Sequence, residues 1–329
     1  MTPPSSLRAG AASGDLDGML AGLRAFAIPM PVRFRGITVR EGALIRGPAG
    51  WGEFSPFAEY GPKESARWLA SAVESATLGW PAPVRDRIPV NVTVPAVGPQ
   101  QAAAIVARSW CRTAKVKVAE RDQTDADDIE RVESVRDALG PDGRIRVDAN
   151  GAWDPGQAAR VLRRLARFGL EYAEQPCATL DELAELRRHI DIPVAADESI
   201  RRAEDPLRVR AAGAADIVML KVQPLGGVRA ALAVAEACGL PAVVSSAVDT
   251  SVGLAAGVAL AAALPDLPYA CGLGTMSLLA GDVTAGPLRP ETGWLPVRRP
   301  AVDPGELARW ETDPAPWRER ASAAARYLP

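Results

Sequence analysis

From residue 90 onward the chain alternates short β-branched runs with helical stretches about every 25 residues, and no other feature restricts the fold as strongly. Candidate strands are 90–94, 114–118, 145–150, 170–175, 193–198, 216–222, 242–246 and 269–273, with helical stretches such as 125–139, 155–168, 180–190 and 228–238 between them. Alternation of this kind builds a parallel sheet. Eight units close most economically as a (β/α)8-type barrel, whose chemistry lies at the C-terminal strand ends.

The first part of the chain reads differently. Residues 32–35, 38–40 and 43–46 alternate apolar and polar side chains as antiparallel strands do. Ala66, Leu69, Ala70, Val73 and Ala76 then recur at helical spacing, up to Gly79-Trp80-Pro81. The expected organisation is α/β. A smaller α+β capping domain covers 1–85, its first seventeen residues a loose Ser-, Ala-, Gly- and Pro-rich tail. The barrel covers 86–274, and a segment at 275–329 returns to the cap through a short helix near 316–327. With 48% hydrophobic residues among 329, the chain can bury a core for both parts.

Composition narrows the function. The net charge is -2 and basic residues are dispersed, which argues against a nucleic-acid track or an anionic membrane surface and for a small-molecule partner. The opening segment lacks the apolar run of a signal peptide, and the Ala-rich stretch 252–264 is too short to span a bilayer, so it reads as a buried helix. Cys111, Cys177, Cys238 and Cys271 are scattered without a CxxC pair, as expected of reduced thiols in a cytoplasmic protein. The single histidine, His189, falls at a helix C-terminus, away from the catalytic end of a barrel. The inventory therefore argues against a histidine base, a zinc site and a Ser-His-Asp triad.

Three acid-bearing strings, Asp148-Ala149-Asn150, Glu174-Gln175-Pro176 and Asp197-Glu198-Ser199, close the third, fourth and fifth candidate strands. Neighbouring strands run about 4.8 Å apart, so acids at three successive ends converge. Oxygen donors without His or Cys suit Mg²⁺, with Mn²⁺ able to substitute. Period-two arithmetic places Lys115 and Lys117 on one face of the second strand, Arg146, Asp148 and Asn150 on one face of the third, and Met219, Lys221 and Gln223 on one face of the sixth. Those polar sets are expected to point into the barrel. Strands two and six lie on opposite sides of an eight-stave ring, so Lys117 and Lys221 face each other across its mouth.

A lysine beside a dication and a second ammonium loses stabilisation of its charged form, which makes Lys117 a usable base with Lys115 as its depressor. Proton abstraction next to a carboxylate yields an enediolate, and a metal on that carboxylate with a second cation, Lys221, would stabilise it. Five further positions are weaker candidates. Asn150 could orient a ligand, Gly226 and Gly227 could offer backbone N–H groups to an anionic substrate group, and Ser245 and Ser246 could donate to a distal carboxylate. A metal-free Schiff-base aldolase and a non-catalytic, ion-stabilised barrel are the rivals from other classes.

Lys115-Val116-Lys117, the three acid strings and Lys221, in this order, resemble the enolase superfamily in its muconate-cycloisomerase-like subgroup, over nearly the whole chain. The short cap, Asn91-Val92-Thr93-Val94-Pro95, and Ser245-Ser246-Ala247 leading to Ser251-Val252-Gly253-Leu254 look most like its dehydratase branch. That resemblance implies syn elimination of water from a cyclohexadiene carboxylate bearing a succinyl group. Lys117 would remove the proton and Lys221 would face the other side of the ring, although the acid and base labels stay open between them. N-succinylamino-acid racemase and muconate-cycloisomerase-like chemistry use the same two lysines and remain alternatives. Dipeptide epimerases resemble the chain too, but carry an Asp-x-Asp where Cys271-Gly272-Leu273-Gly274 stands here. Substrate choice is expected from cap loops within 18–31 and 51–60.

Overall fold

The computed structural model describes residues 13–200 and 205–328. The tail expected over the first seventeen residues lies outside that range as far as residue 12, and from Ser13 the chain is helical (α1, Ser13–Ala21). The cap follows as an antiparallel sheet of β1 (Arg24–Phe34), β2 (Ile37–Gly47) and β3 (Gly50–Phe54), against which α2 (Pro62–Thr77) packs. The two short runs 38–40 and 43–46 are one strand, because Gly42 keeps its place opposite Phe26 in the ladder rather than breaking it. Pro62 starts α2 at the position where a missing N–H costs nothing, and Ala66, Leu69, Ala72, Val73 and Ala76 form its buried face.

The barrel opens with β4 (Arg87–Pro89) at its base and continues as β5 (Val92–Val94), α3 (Pro99–Ser109), β6 (Thr113–Lys117), α4 (Asp125–Leu139), β7 (Arg144–Asp148), α5 (Pro155–Leu165), β8 (Leu170–Glu174), α6 (Leu180–Arg187), β9 (Val194–Ala196), α7 (Asp205–Ala211), β10 (Ile217–Leu220), α8 (Val222–Leu225), α9 (Val228–Cys238), β11 (Ala242–Val244) and α10 (Ser251–Ala263). The strands β5 to β11 pair in parallel, each with its sequence neighbours. Residues 269–273 are the eighth stave, bridging Val90 on one side and Ser245 on the other. No α-helix follows it directly. A 3₁₀ turn at Thr275–Leu278 leads instead into irregular chain, so the eighth unit is a strand alone. Local chemistry explains the helix starts: Thr124 with Asp127 and Thr179 with Glu182 form capping boxes, and Asp154 caps α5 ahead of Pro155.

The rest of the chain serves both parts. A short strand, β12 (Trp294–Pro296), pairs with β4, and after α11 (Pro304–Trp310) the strand β13 (Glu311–Thr312) joins β1. The final helix, α12 (Ala315–Ala325), sets Trp317 edge-on against Phe54 at 5.8 Å.

The two faces of each stave go to different cores. Outward residues such as Val116, Val147, Ala173, Val218, Leu220 and Val244 join the large core under the helices. Inside, Tyr172, Ala195, Ile217, Met219 and Val243 form a small apolar plug. The polar inward residues sit above it, cut off from water below. Alternation fails at one expected position: β10 ends at Leu220, the chain winds into α8, and Gln223 leaves the barrel interior to bond Ser55 of the cap. Among the described residues, no helix is long and apolar enough to cross a membrane. All four cysteines are buried and none is in a disulfide, and His189 bonds the Glu185 carbonyl through Nδ1 at 2.9 Å, outside the site.

Candidate active site

Parallel register brings the acids together. Lys117 pairs with Asp148 across β6 and β7, and Asp148 with Glu174 across β7 and β8, while Asp197 lies two residues beyond Ala195, the β9 partner of Glu174. All three carboxylates are buried at 0–1% exposure. Each faces an ammonium. Lys115 Nζ spans two of them, 2.8 Å from Glu174 Oε1 and 3.3 Å from Asp148 Oδ2. Lys117 Nζ lies 2.5 Å from Asp148 Oδ2, and Lys221 Nζ lies 2.5 Å from Asp197 Oδ2. Among the described residues no three acid, histidine or cysteine side chains enclose a common point, and the lysine ammonium groups stand where a shared cation would balance the acids. The donor set itself is hard, buried and all oxygen, which fits a magnesium-class ion.

The electrostatics are strong because water is excluded. Burial opposes ionisation of Asp148, but Lys117 and Lys115 outweigh it and hold the carboxyl down to about 2. Glu174 goes the other way, pushed up to about 7 by burial and then by the neighbouring Asp148. Burial works against the charge of Lys115 too, yet Glu174 and Asp148 raise its pKa above the ordinary lysine value. The charge of Lys115 is therefore committed to the acids.

Strand ends here are held in left-handed backbone conformations. Asn150 has φ 48° and Gln175 has φ 37°, conformations that non-glycine residues adopt sparingly and that recur at functional sites. Asn150 accepts from Lys117 through Oδ1 and donates to Glu198 at 3.2 Å. Gln175 accepts from the Asp197 amide at 2.9 Å and donates to Ser199 Oγ at 2.9 Å, bracing the loop that carries the third acid.

Gly226 and Gly227 do not offer their amides to a substrate. The N–H of Gly226 bonds the Val222 and Gln223 carbonyls and that of Gly227 bonds the Val222 carbonyl, all within one turn. The anion at the start of α9 is the protein's own: Glu74 of α2 accepts from Val228 N at 2.5 Å and Arg229 N at 3.2 Å. Ser245 and Ser246 do border the site. Ser246 Oγ pairs with Thr275 Oγ1 at 2.6 Å and accepts from Val248 N, while Ser245 Oγ reaches the Gly272 carbonyl at 3.4 Å. Neither caps α10, whose N-cap is Thr250.

One cavity, about 40 Å³, joins these groups. Its lining includes Lys115, Lys117, Asp148, Asn150, Lys221 and the two serines, together with residues the sequence did not single out: Phe34, Arg35, Thr93 and Thr275. Thr93 was legible, being on the inward parity of its strand. Phe34 and Arg35 were not, since 32–35 reads as plain strand and specificity was sought in 18–31 and 51–60. Only the second of those segments reaches the cavity, through Phe57. The Phe34 ring lies 5.2 Å from Lys117 Nζ and roofs it.

Comparison with known proteins agrees with this fold. Residues 99–305 match the enolase C-terminal domain-like family and residues 25–76 the enolase N-terminal domain-like family. The chain belongs to the enolase superfamily. It is 71% identical to an o-succinylbenzoate synthase of Thermobifida fusca over 301 residues, 92% of this chain and 95% of that one. It is 58% identical to an o-succinylbenzoate synthase of Mycobacterium ulcerans over 295 residues, 89% of each. Its fold superposes on that of muconate lactonizing enzyme from Pseudomonas fluorescens with a TM-score of 0.77 at 23% identity, covering 88% of this chain and 98% of the other.

Proposed function

We propose that the chain is an o-succinylbenzoate synthase, eliminating water from 2-succinyl-6-hydroxy-2,4-cyclohexadiene-1-carboxylate to give 2-succinylbenzoate, a step of menaquinone biosynthesis. The observation that carries this reading is the meeting of Lys117 and Lys221 on one cavity with Asp148, the lysines paired with the buried Asp148 and Asp197, in a chain 71% identical to a curated synthase. Asp148, Glu174 and Asp197 would hold Mg²⁺, or Mn²⁺ in its place. When bound, the ion supplies positive charge to the substrate carboxylate as negative charge develops on it.

The chain's own side chains do the rest. Lys117 Nζ takes the proton α to the carboxylate, and the electron pair of that C–H bond passes into the carboxylate as an enediolate. The pair then returns to form the new ring double bond as the C–O bond breaks. Lys117, now protonated on the same face, gives its proton to the departing hydroxyl, so water leaves and the ring becomes aromatic. Lys221, held by Asp197, keeps its charge on the opposite face over the developing π system. Asn150 steers Lys117 by accepting from its ammonium. Phe34 and Phe57 cover the cavity and keep bulk water off the enediolate. The four cysteines, none of them in a disulfide, support a cytoplasmic setting.

The test is turnover of the cyclohexadiene substrate with Mg²⁺, followed by the rise of aromatic absorbance. The expected result is product from the wild type and a loss of at least about 10³-fold in Lys117→Ala, as general-base removal produces. An N-succinylamino acid is assayed in parallel by polarimetry. Rapid racemisation with negligible dehydration would replace this reading with the racemase one.

A further inference from the structure

The substrate proposed above is a dianion, and the lysine-acid layer serves only one of its carboxylates. The other ends the succinyl arm and needs its own recognition. Four cationic side chains line the cavity: Lys115, Lys117, Lys221 and Arg35. The three lysines form its floor and each is within 3.3 Å of Asp148, Glu174 or Asp197. Arg35 comes from the roof. We infer that Arg35 is the residue that binds the distal carboxylate of the substrate, exchanging Glu59 for it, an inference that rests on the function proposed above.

The position is built for one side chain to project into the cavity. Phe34 pairs with Ile37, so Arg35 and Gly36 are a two-residue hairpin loop, and both have positive φ, 51° and 77°. That is the type I′ geometry whose twist matches the flanking strands, and it fixes the direction in which residue 35 leaves the sheet. The guanidinium then lies over the Phe57 ring, 4.1 Å from its centroid, which supports one face of the fork and leaves its edge for hydrogen bonding. From Nη2 it donates to Glu59 Oε1 at 3.2 Å and to Tyr60 Oη at 3.4 Å.

Glu59 is a replaceable partner. Its side chain is 58% exposed, and an ion pair in water contributes little, so a substrate carboxylate in a closed cavity competes with it on favourable terms. The neutral donors nearby are a poorer match, because Ser246 and Thr275 already bond each other and Ser245 bonds the Gly272 carbonyl. The cavity of about 40 Å³ holds a few water molecules at most, so substrate entry lifts Phe34 off Lys117. Arg35 is the next residue on the same hairpin and moves with it.

The experiment measures binding separately from turnover. Wild type, Arg35→Met, Arg35→Lys and Glu59→Gln are titrated by calorimetry, in Mg²⁺, with 2-succinylbenzoate and with its analogue in which the arm ends in a carboxamide. A charge-assisted hydrogen-bonded pair of this kind corresponds to roughly a 10- to 100-fold change in Kd. Arg35→Met is expected to weaken diacid binding by that factor and leave the carboxamide within about twofold. Arg35→Lys recovers part of the loss, and Glu59→Gln tightens the diacid two- to fivefold. Equal losses on both ligands, an unchanged diacid Kd in Arg35→Met, or no binding of the diacid by wild type would overturn the assignment. Should wild type bind the diacid yet form no aromatic product from the cyclohexadiene, the proposed reaction fails while these titrations still decide the role of Arg35.

Discussion

Glu74 offers a quantitative test of how cap and barrel are joined. It sits on α2 of the cap at 3% exposure and accepts from the first two amides of α9, a barrel helix that begins just after Gly227. Replacing it with alanine leaves two N–H groups without an acceptor, one of them on the fully buried Val228. At about 1–3 kcal/mol for each buried orphan donor, with the half-exposed Arg229 pair adding little, Glu74→Ala should cost about 3–4 kcal/mol. Unfolding entropy near 2.1 cal/mol/K per residue gives ~0.7 kcal/mol/K for 329 residues, so 1 kcal/mol shifts Tm by ~1.4 °C. The expected drop is therefore about 4–6 °C by calorimetry, and about 1–3 °C for Glu74→Gln, which keeps one acceptor oxygen. Gly227 supplies the control. At φ 124° its Cβ would come 2.1 Å from Glu74 Oε2, so Gly227→Ala suffers both a backbone and a steric cost. The steric part disappears once Glu74 is alanine, and the double mutant should lie well above the sum of the singles. A Tm loss below about 1 °C for Glu74→Ala, or strict additivity of the pair, would refute this account.

Other consequences can be checked directly. Saturating Mg²⁺, at about 100 times its Kd, should raise stability by ~2.7 kcal/mol, or about 4 °C, and EDTA or Asp197→Asn should erase the shift. Burial pushes the thiols of Cys177 and Cys271 up to about 12, so both stay neutral across pH 7–9. Labelling of the folded protein by Ellman's reagent should accordingly be slow and nearly flat over that range, then complete in urea; fast labelling of any thiol at pH 8 would contradict the packing. Arg40, buried at 2% exposure, bonds the carbonyls of Val248, Ser55 and Glu41. Arg40→Met strands those acceptors beside Val248, whose φ of 62° is unusual for a β-branched residue, and should cost about 3–5 kcal/mol in urea unfolding.

The parts legible in the sequence were those whose cause is local. A period of two assigns Lys115, Lys117, Asp148 and Lys221 to the barrel interior, because successive side chains on any strand must face opposite ways. The alternation of strand-like and helical runs placed α4 and α9 at their observed bounds. The strand–helix rhythm implied a barrel, since parallel strands buried on both faces have few other ways to close.

What tertiary structure decided were the partnerships between segments distant in sequence. Nothing near Gly227 reveals that a carboxylate 153 residues earlier caps the helix behind it, so its amides looked available to substrate. Gln223 kept strand parity on paper, yet Ser55 and Asp249 draw it out of the barrel. Arg35 reads as one more alternating strand residue, and becomes a cavity wall only when the cap hairpin folds over the barrel mouth. Lys115 has the same character. Its inward direction is fixed by the sequence, but its role as a bridge between Asp148 and Glu174 depends on three neighbouring staves adopting one register, which is a property of the sheet and not of any strand alone.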